Sequence, residues 1–337
     1  MVNQKPSDGN YPGISVKGRI IRILREDPET FFSGEFLAKR LGISRVAVWK
    51  AVKSLQGAEY PIGAGEKGYT WKQERTLPYN DFLYPWEFGE KESFFHHLTS
   101  TDSTMNRAAE LAGRGCPGGT VISAGEQTLG RGRNGRPWTS SKGGLFFTLL
   151  ERPALSAWEY FRVSLALQIA AGRALRELCG KPIQLRWPND LYAGDKKIAG
   201  LLTEFHAEGD RLIWISLGLG VNVNNPPSSW LSCSSLTLHP VSRRDVLLAI
   251  LKQWEELKKD IFTPKLHKEW NSLALGIGKK VIALEAPGAE AAGRRAFPAR
   301  GVFMGIDRYG RAIIEGEGRK RFLCSPGNVS IRENQAI

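Results

Sequence analysis

Gly125 to Trp138 reads G-E-Q-T-L-G-R-G-R-N-G-R-P-W, with Arg131, Arg133 and Arg136 set among Gly130, Gly132 and Gly135. Glycine lets a backbone approach a ligand closely and adopt positive φ. Arginine presents planar forks of N–H donors that suit phosphate and carboxylate oxygens. The combination describes a mobile loop that closes over an anion. No G-K-[S/T] follows, so it is not a Walker A loop, and G-x-G-x-x-G does not fit it. Taken alone, a flexible basic surface loop explains these residues equally well. A second chemical stretch, Gln184 to Phe205, contains W-P-N-D and G-D-K-K-I-A-G. It places Asp190 and Lys197 opposite one another near a turn at Gly194-Asp195. The competing reading of that pair is a surface salt bridge worth under ~1 kcal/mol.

The elements that must hold these stretches are legible from apolar periodicity. Gly119 to Ala124 is an apolar strand that delivers the Arg/Gly loop, and Leu145 to Leu150 is a second strand just beyond it. A loop anchored at both ends by core strands favours function over idle surface. Phe94 to Leu98 reads as a short strand. The hydroxyl cluster Thr99 to Thr104 follows it and opens a helix from Met105 to Gly113, with an N-cap as the simpler role for its hydroxyls. Ala157 to Cys179 is a long, mostly buried helix. Trp187 to Asp190 falls at the end of the strand leading to Gly194. Arg211 to Val223 is a strand whose glycines allow a ligand to press close. Pro226-Pro227 opens a loop containing Trp230, and Arg243 to Phe262 is a helix with Val246, Ile250, Trp254, Leu257 and Ile261 on one face.

The N-terminal head has a different plan. Ile20, Ile21 and Leu24 share a helix; Ser33 caps a second through Arg40, with Phe36 and Leu37 as its apolar side. After Leu41-Gly42-Ile43, Ser44 caps a third, in which Val48, Val52 and Leu55 face inward and Arg45, Trp49, Lys50 and Lys53 outward. Tyr60 to Trp71 is a glycine-tipped hairpin carrying Lys67. This is a winged helix-turn-helix, whose second helix enters the major groove. A small helical packing domain with a solvated face is the competing reading. The hairpin and the charge weigh toward DNA, with the cations positioned on phosphates. Leu77 to Glu92, broken by two prolines and a glycine, reads as a linker with its aromatics docked on the next domain.

The totals agree. The chain has 337 residues, 47 Lys and Arg against 34 Asp and Glu, and a formal net charge of +13. Such an excess favours polyanions without choosing among them. No apolar run approaches the ~20 residues of a membrane span. The polar N-terminus lacks a secretory h-region. Cys116, Cys179, Cys233 and Cys324 are scattered without zinc-ligand spacing. A reducing cytoplasm is the expected compartment.

G-R-G-R-N-G-R-P-W, then R-W-P-N-D-L-Y-A-G-D-K-K-I-A-G-L-L-T-E, then G-L-G-V-N-V resembles the biotin–protein ligase family over nearly the whole chain. The head and the C-terminal segment resemble its bifunctional members, the biotin operon repressors. The resemblance implies an α+β protein: a winged helix-turn-helix over residues 12–75, a linker at 76–92, a mixed α/β ligase domain of the class II synthetase-like type at 93–275, and a small SH3-like β-barrel at 276–337.

It also implies a chemistry. Biotin and ATP with Mg²⁺ give biotinyl-5′-AMP and pyrophosphate, and biotin then passes to a lysine of a biotin carboxyl carrier protein. Lys197, Arg131, Arg133 and Asp190 are the implied catalytic residues, Asp190 orienting the acceptor amine or touching the metal. Ser103, Thr104, Gln127, Arg131, Arg133 and Lys197 match the biotin site. Arg133, Trp138, Asn189, Lys197, Asn222 and Trp230 match the ATP and adenylate site, and Trp138 and the glycines of Gly218 to Gly220 are the implied dry wall for biotin's apolar ring and valeryl chain. Arg45, Trp49, Lys50, Lys53 and Lys67 would face operator DNA, bound by a homodimer when the adenylate is present. A ligand-sensing regulator without turnover and a ligase for lipoate are the alternatives. The chain departs from the family pattern in three places. Met105 stands where the family usually has Asn, which here comes one residue later as Asn106. Arg186 replaces the commoner Lys. A long Ala/Gly/Arg insert runs from Ala286 to Ala299.

Overall fold

A computed structural model describes residues 16–57, 60–72, 94–225, 230–285, 299–326 and 329–333. The expected linker and nearly all of the insert lie outside these. The chain divides into two compact units after His97.

In the first unit, α1 (Val16–Glu26), α2 (Gly34–Leu41) and α3 (Arg45–Gly57) precede a hairpin of β1 (Ile62–Gly65) and β2 (Gly68–Trp71). The caps are those the residue types dictate. Ser33 Oγ accepts from Phe36 N at 3.0 Å, Ser44 Oγ accepts from Ala47 N at 3.1 Å, and Gly42 closes α2 at φ 65°. Ile20, Leu24, Leu37, Val48, Val52 and Leu55 form the core. Phe36 does not join them: it is 44% exposed, set against Phe32 and beneath Arg40. One helical position is a 100° rotation, so a face centred on Leu37, Ala38 and Leu41 turns Phe36 outward.

The strand β3 (Phe95–Thr101) spans that division, and in the second unit α4 (Thr104–Gly113), β4 (Thr120–Gln127), β5 (Leu145–Glu151), α5 (Tyr160–Cys179), β6 (Gln184–Arg186), β7 (Asp190–Ala193), β8 (Lys196–Glu208) and β9 (Arg211–Val221) follow in order. Then come α6 (Cys233–Thr237), α7 (Arg243–Leu257) and α8 (Pro264–Leu273). Seven strands form one sheet in the order β3-β4-β5-β9-β8-β7-β6, antiparallel from β4 to β6. α4 packs on β4, β5 and β9, while α5 packs against α7 and α8. β5 is buried along Leu145 to Leu150, which explains its unbroken apolar run.

Several expected bounds shift. β3 runs on to Thr101, and β9 stops at Val221 rather than Val223. The helix expected from Ala157 begins at Tyr160 after a 3₁₀ turn, and α7 ends at Leu257 before another. The strand expected to run through Trp187 to Asp190 is split: β6 ends at Arg186, Trp187 to Asn189 make a turn with a cis Trp187–Pro188 bond, and Asp190 opens β7. Pro188 has no N–H for a ladder, so it falls between strands.

The C-terminal residues form a five-stranded antiparallel sheet, ordered β13-β12-β11-β10-β14. Its strands are β10 (Lys280–Glu285), β11 (Ala299–Ile306), β12 (Ala312–Glu315), β13 (Arg321–Cys324) and β14 (Val329–Glu333). It docks on the seven-stranded part through Trp187 Nε1 donating to Gly310 O at 3.0 Å, and through paired bonds between Asn271 and Ile306 at 2.8 and 3.0 Å. No helix among the described residues is long and apolar enough to cross a membrane.

One core feature has a pH signature. Burial pushes the Glu151 carboxyl above its ordinary value of 4.5, although Trp254 Nε1 donates to it at 3.2 Å. The folded chain therefore holds this proton more tightly than the unfolded one. The resulting stability is full below the unfolded value and is lost as pH rises through the folded one. Glu151→Gln is expected to flatten the fall in urea midpoint with rising pH above 4.5. A variant with the wild-type slope would remove Glu151 from the account.

Candidate active site

The Arg/Gly loop is a folded flap. Arg133, Asn134, Gly135 and Arg136 make its tip, with Asn134 at φ 55° and Gly135 at φ 68°. Two successive left-handed residues are what an Asn-Gly hairpin turn supplies. Gly132 N donates to Arg136 O at 2.7 Å, Trp138 N to Gly130 O at 2.8 Å, and Gln127 N to Ser140 O at 3.3 Å. These bonds fasten the flap to the end of β4 and aim Trp138 inward.

Trp138 lies on a glycine platform. Gly200 on β8 and Gly220 on β9 are cross-strand partners. A Cβ on Gly220 would fall 2.6 Å from the Trp138 ring, and one on Gly200 2.8 Å from it. Trp230 tilts against Trp138 with centroids 4.9 Å apart. Lys197 Nζ stands 5.0 Å from the Trp138 ring centre and 5.4 Å from that of Trp230. It also lies 2.7 Å from Asp190 Oδ1, a charge contact rather than a well-aligned hydrogen bond. The bulge between Leu191 and Tyr192 in the β7–β8 ladder shifts the register that sets this pair.

Around this centre opens a cavity of about 520 Å³. Ser103, Thr104, Gln127, Arg131, Arg133, Trp138, Asn189, Asp190, Lys197 and Trp230 all line it, together with Gly218 to Gly220. Thr104 N and Oγ1 donate to Gln127 Oε1 at 2.8 and 3.1 Å, and Gln127 Nε2 donates to Ser140 Oγ at 2.9 Å. Ser103 Oγ caps α4 by accepting from Met105 N at 3.2 Å. Asn189 Nδ2 donates to Leu201 O. Arg131 Nη2 donates to Glu204 Oε2 and Asn106 Oδ1, each at 3.0 Å, while its buried Nη1 has no protein partner. The asparagine that comes one residue late thus holds the flap arginine. Met105 turns inward, where a Cβ on Gly218 would come within 2.6 Å of its sulfur. Arg133 Nη2 donates to Pro326 O at 2.6 Å, and burial lowers its guanidinium below the usual range. An arginine so lowered still carries its charge.

Asn222 does not line the cavity. It is fully buried, and neither side-chain Nδ2 nor Oδ1 has a protein partner. A buried, unpaired carboxamide carries a desolvation cost that a donor–acceptor ligand edge would relieve. Three lining cations escaped the sequence reading of the site: Arg136, Arg186, whose Nη1 donates to Tyr192 Oη at 3.0 Å, and Arg332; they complete the set with Arg131, Arg133 and Lys197. Leu284, Ser330 and Ile331 join Arg332 in bringing the C-terminal sheet to the wall. In all, six cationic side chains and one carboxylate, Asp190, line the cavity among the described residues.

In the first unit, Arg45, Trp49, Lys50 and Lys53 are exposed along α3, and Lys67 at the hairpin turn is exposed too. Arg45, Trp49 and Lys53 border a groove whose other wall is Ala64 to Glu66.

Comparison with known proteins agrees with this architecture. The Biotin/lipoate A/B protein ligase family model matches residues 98–222, and an HTH domain model matches residues 17–70. The bifunctional ligase/repressor BirA of Bacillus subtilis (strain 168) is 32% identical over 326 residues, covering 91% of this chain and 96% of that protein. The biotin--[acetyl-CoA-carboxylase] ligase of Paracoccus denitrificans is 30% identical, covering 67% of this chain and 96% of its own. Among solved structures, the biotin protein ligase from Aquifex aeolicus in complex with biotin and ATP is 30% identical with a TM-score of 0.59, covering 71% of this chain and 99% of that one. A ligase domain joined to a helix-turn-helix head is the class that fold and cavity define. The chain belongs to the family of bifunctional biotin ligase/repressors.

Proposed function

We propose that the chain is an ATP-dependent biotin–protein ligase that forms biotinyl-5′-AMP and passes biotin to a lysine of a biotin carboxyl carrier protein. The observation that carries this is a cavity lined by six cations and one carboxylate, with a two-glycine floor under Trp138. Charge spreading over phosphoryl oxygens calls for positioning and cationic stabilisation. Lys197, Arg131 and Arg133 supply it. Ser103, Thr104, Gln127, Arg131, Arg133 and Lys197 hold biotin; Arg133, Trp138, Asn189, Lys197 and Trp230 hold the nucleotide and adenylate, and Asn222, buried outside the cavity wall, joins them once the ligand opens that wall. The unpaired Asn222 carboxamide suits the donor–acceptor edge of adenine.

Asp190 orients the acceptor amine, which must lose its proton before attack. Among the described residues no cluster of three metal-ligating side chains occurs. One carboxylate fits Mg²⁺ that arrives mainly on phosphate oxygens and keeps its waters. When bound, the ion neutralises polyphosphate charge. The cavity walls exclude water from a reactive acyl-adenylate.

The domain reading is 12–75, 76–92, 93–275 and 276–337, with a class II synthetase-like ligase domain and an SH3-like C-terminal barrel. The antiparallel sheets and the C-terminal contribution to the cavity support it. The head is a biotin-responsive repressor, binding operator DNA through Arg45, Trp49, Lys50, Lys53 and Lys67, as a homodimer when the adenylate is present. The compartment is the cytoplasm, in keeping with four unpaired thiols.

The test is incubation with biotin, Mg·ATP and a carrier domain, with the carrier weighed afterwards. A gain of one biotinyl group is expected, resisted by excess lipoate only weakly. An unchanged carrier with biotin still bound would turn the reading to a sensor without turnover. DNA affinity is expected to rise only when biotin and ATP are both present.

A further inference from the structure

Two of the four cysteines have no place in the ligase chemistry yet meet in the core. Cys179 is the last residue of α5 and Cys233 the first of α6, two helices that pack together. Both side chains are buried, at 6% and 0% exposure, and the two thiols sit close enough to shift each other's titration. Cys116 and Cys324 are also free thiols.

The segment that carries Cys233 is tied to the nucleotide end of the site. Leu231 N donates to Lys197 O at 3.0 Å, and Cys233 N donates to Asn222 O at 2.9 Å. Trp230, three residues before Cys233, is the ring tilted against Trp138. A bond between the two sulfurs would fasten this segment to α5 directly behind Lys197 and Asn222.

We propose that Cys179 and Cys233 form a reversible disulfide on exposure to a peroxide, and that this bond holds the Trp230 segment and slows adenylation. The reaction balances with hydrogen peroxide as the oxidant. The Cys179 thiolate attacks one peroxide oxygen, the O–O bond breaks, and the leaving hydroxide takes a proton to become water. The Cys233 sulfur then attacks the sulfur of the resulting sulfenic acid; the S–O bond breaks as the S–S bond forms, and the leaving hydroxyl takes the Cys233 proton as a second water. The sulfurs lose two electrons and the peroxide gains them. The roles follow from the surroundings. The contact with Cys233 lowers the Cys179 thiol, whereas the same contact and burial raise Cys233 well above the ordinary range. The thiolate is the nucleophile, so Cys179 attacks first. This inference does not depend on which acid the ligase activates.

The full-length protein, treated with hydrogen peroxide and then unfolded in an alkylating agent, is expected to show two free thiols instead of four. Peptide mapping should recover the Cys179 and Cys233 peptides joined, lighter than the separate pair by two hydrogens. Pyrophosphate release with biotin and Mg·ATP should fall and return on adding dithiothreitol. Cys116→Ser should behave as wild type, and Cys179→Ser should neither cross-link nor lose activity to peroxide. Four free thiols, separate sulfinic acids, or a bridge through Cys116 would overturn the proposal. The wild-type peptide map decides this even if Cys179→Ser proves unstable. A disulfide that leaves pyrophosphate release unchanged would overturn its effect on the site.

Discussion

Lys197→Ala is expected to abolish pyrophosphate release from biotin and Mg·ATP while the protein stays folded. Lys197 is placed by the β7–β8 bulge so that its ammonium reaches Asp190 and stands over two indole rings. A lysine in that position is a mobile point charge in a partly dry cavity, able to follow phosphoryl oxygens as charge develops on them. Removing one preorganised donor of this kind costs about 10²–10³ in rate. The neighbouring arginines contribute charge from fixed positions, Arg131 held by Glu204 and Asn106 and Arg133 by Pro326 O, and so lack the mobility that Lys197 brings. Fold integrity would be read from circular dichroism and melting, since the variant leaves Asp190 without its partner. Pyrophosphate release within a few-fold of wild type would sink the assignment.

The sequence displayed some of this site plainly. Asp190 and Lys197 were expected to face one another because a Gly194-Asp195 turn brings their strands together, and they do. The caps at Ser33, Ser44 and Ser103 follow from local hydrogen-bond chemistry that needs no tertiary context. Asn134-Gly135 is likewise a local turn signal that needs no tertiary context. The start of α8 could have been read from Thr263-Pro264, with Leu266, Trp270 and Leu273 at helical spacing.

Other features could not be read from local pattern. The Gly200–Gly220 platform depends on the register of two strands, and glycines in strands show nothing of what packs on them. Arg332 reaches the cavity only because the C-terminal sheet docks through Trp187, Asn271 and Arg133. Those contacts join residues more than a hundred positions apart in two of the three cases. The Cys179–Cys233 contact is likewise a product of helix packing, invisible in scattered cysteines.

Arg133→Ala is expected to leave adenylate formation measurable but to release biotinyl-AMP into solvent. Arg133 sits at the tip of the flap, lines the cavity and donates to Pro326 O at 2.6 Å, so it latches the flap to the C-terminal segment just after β13. The bond is charge-assisted and partly removed from water, and one such interaction is worth about 1.5–3 kcal/mol. That range corresponds to roughly a 10- to 150-fold change in an equilibrium or escape rate. Alanine removes the latch and one cation facing the adenylate together. Leakage is best followed as free biotinyl-AMP appearing in the absence of a carrier, and as indiscriminate labelling of added amines. Because the flap also carries Trp138 onto Gly200 and Gly220, a loosened tip should raise the exchange of that indole, visible as a red-shifted tryptophan emission. Leakage at the wild-type rate, with formation intact, would mean that the glycine platform alone retains the intermediate and the guanidinium does not act as a latch.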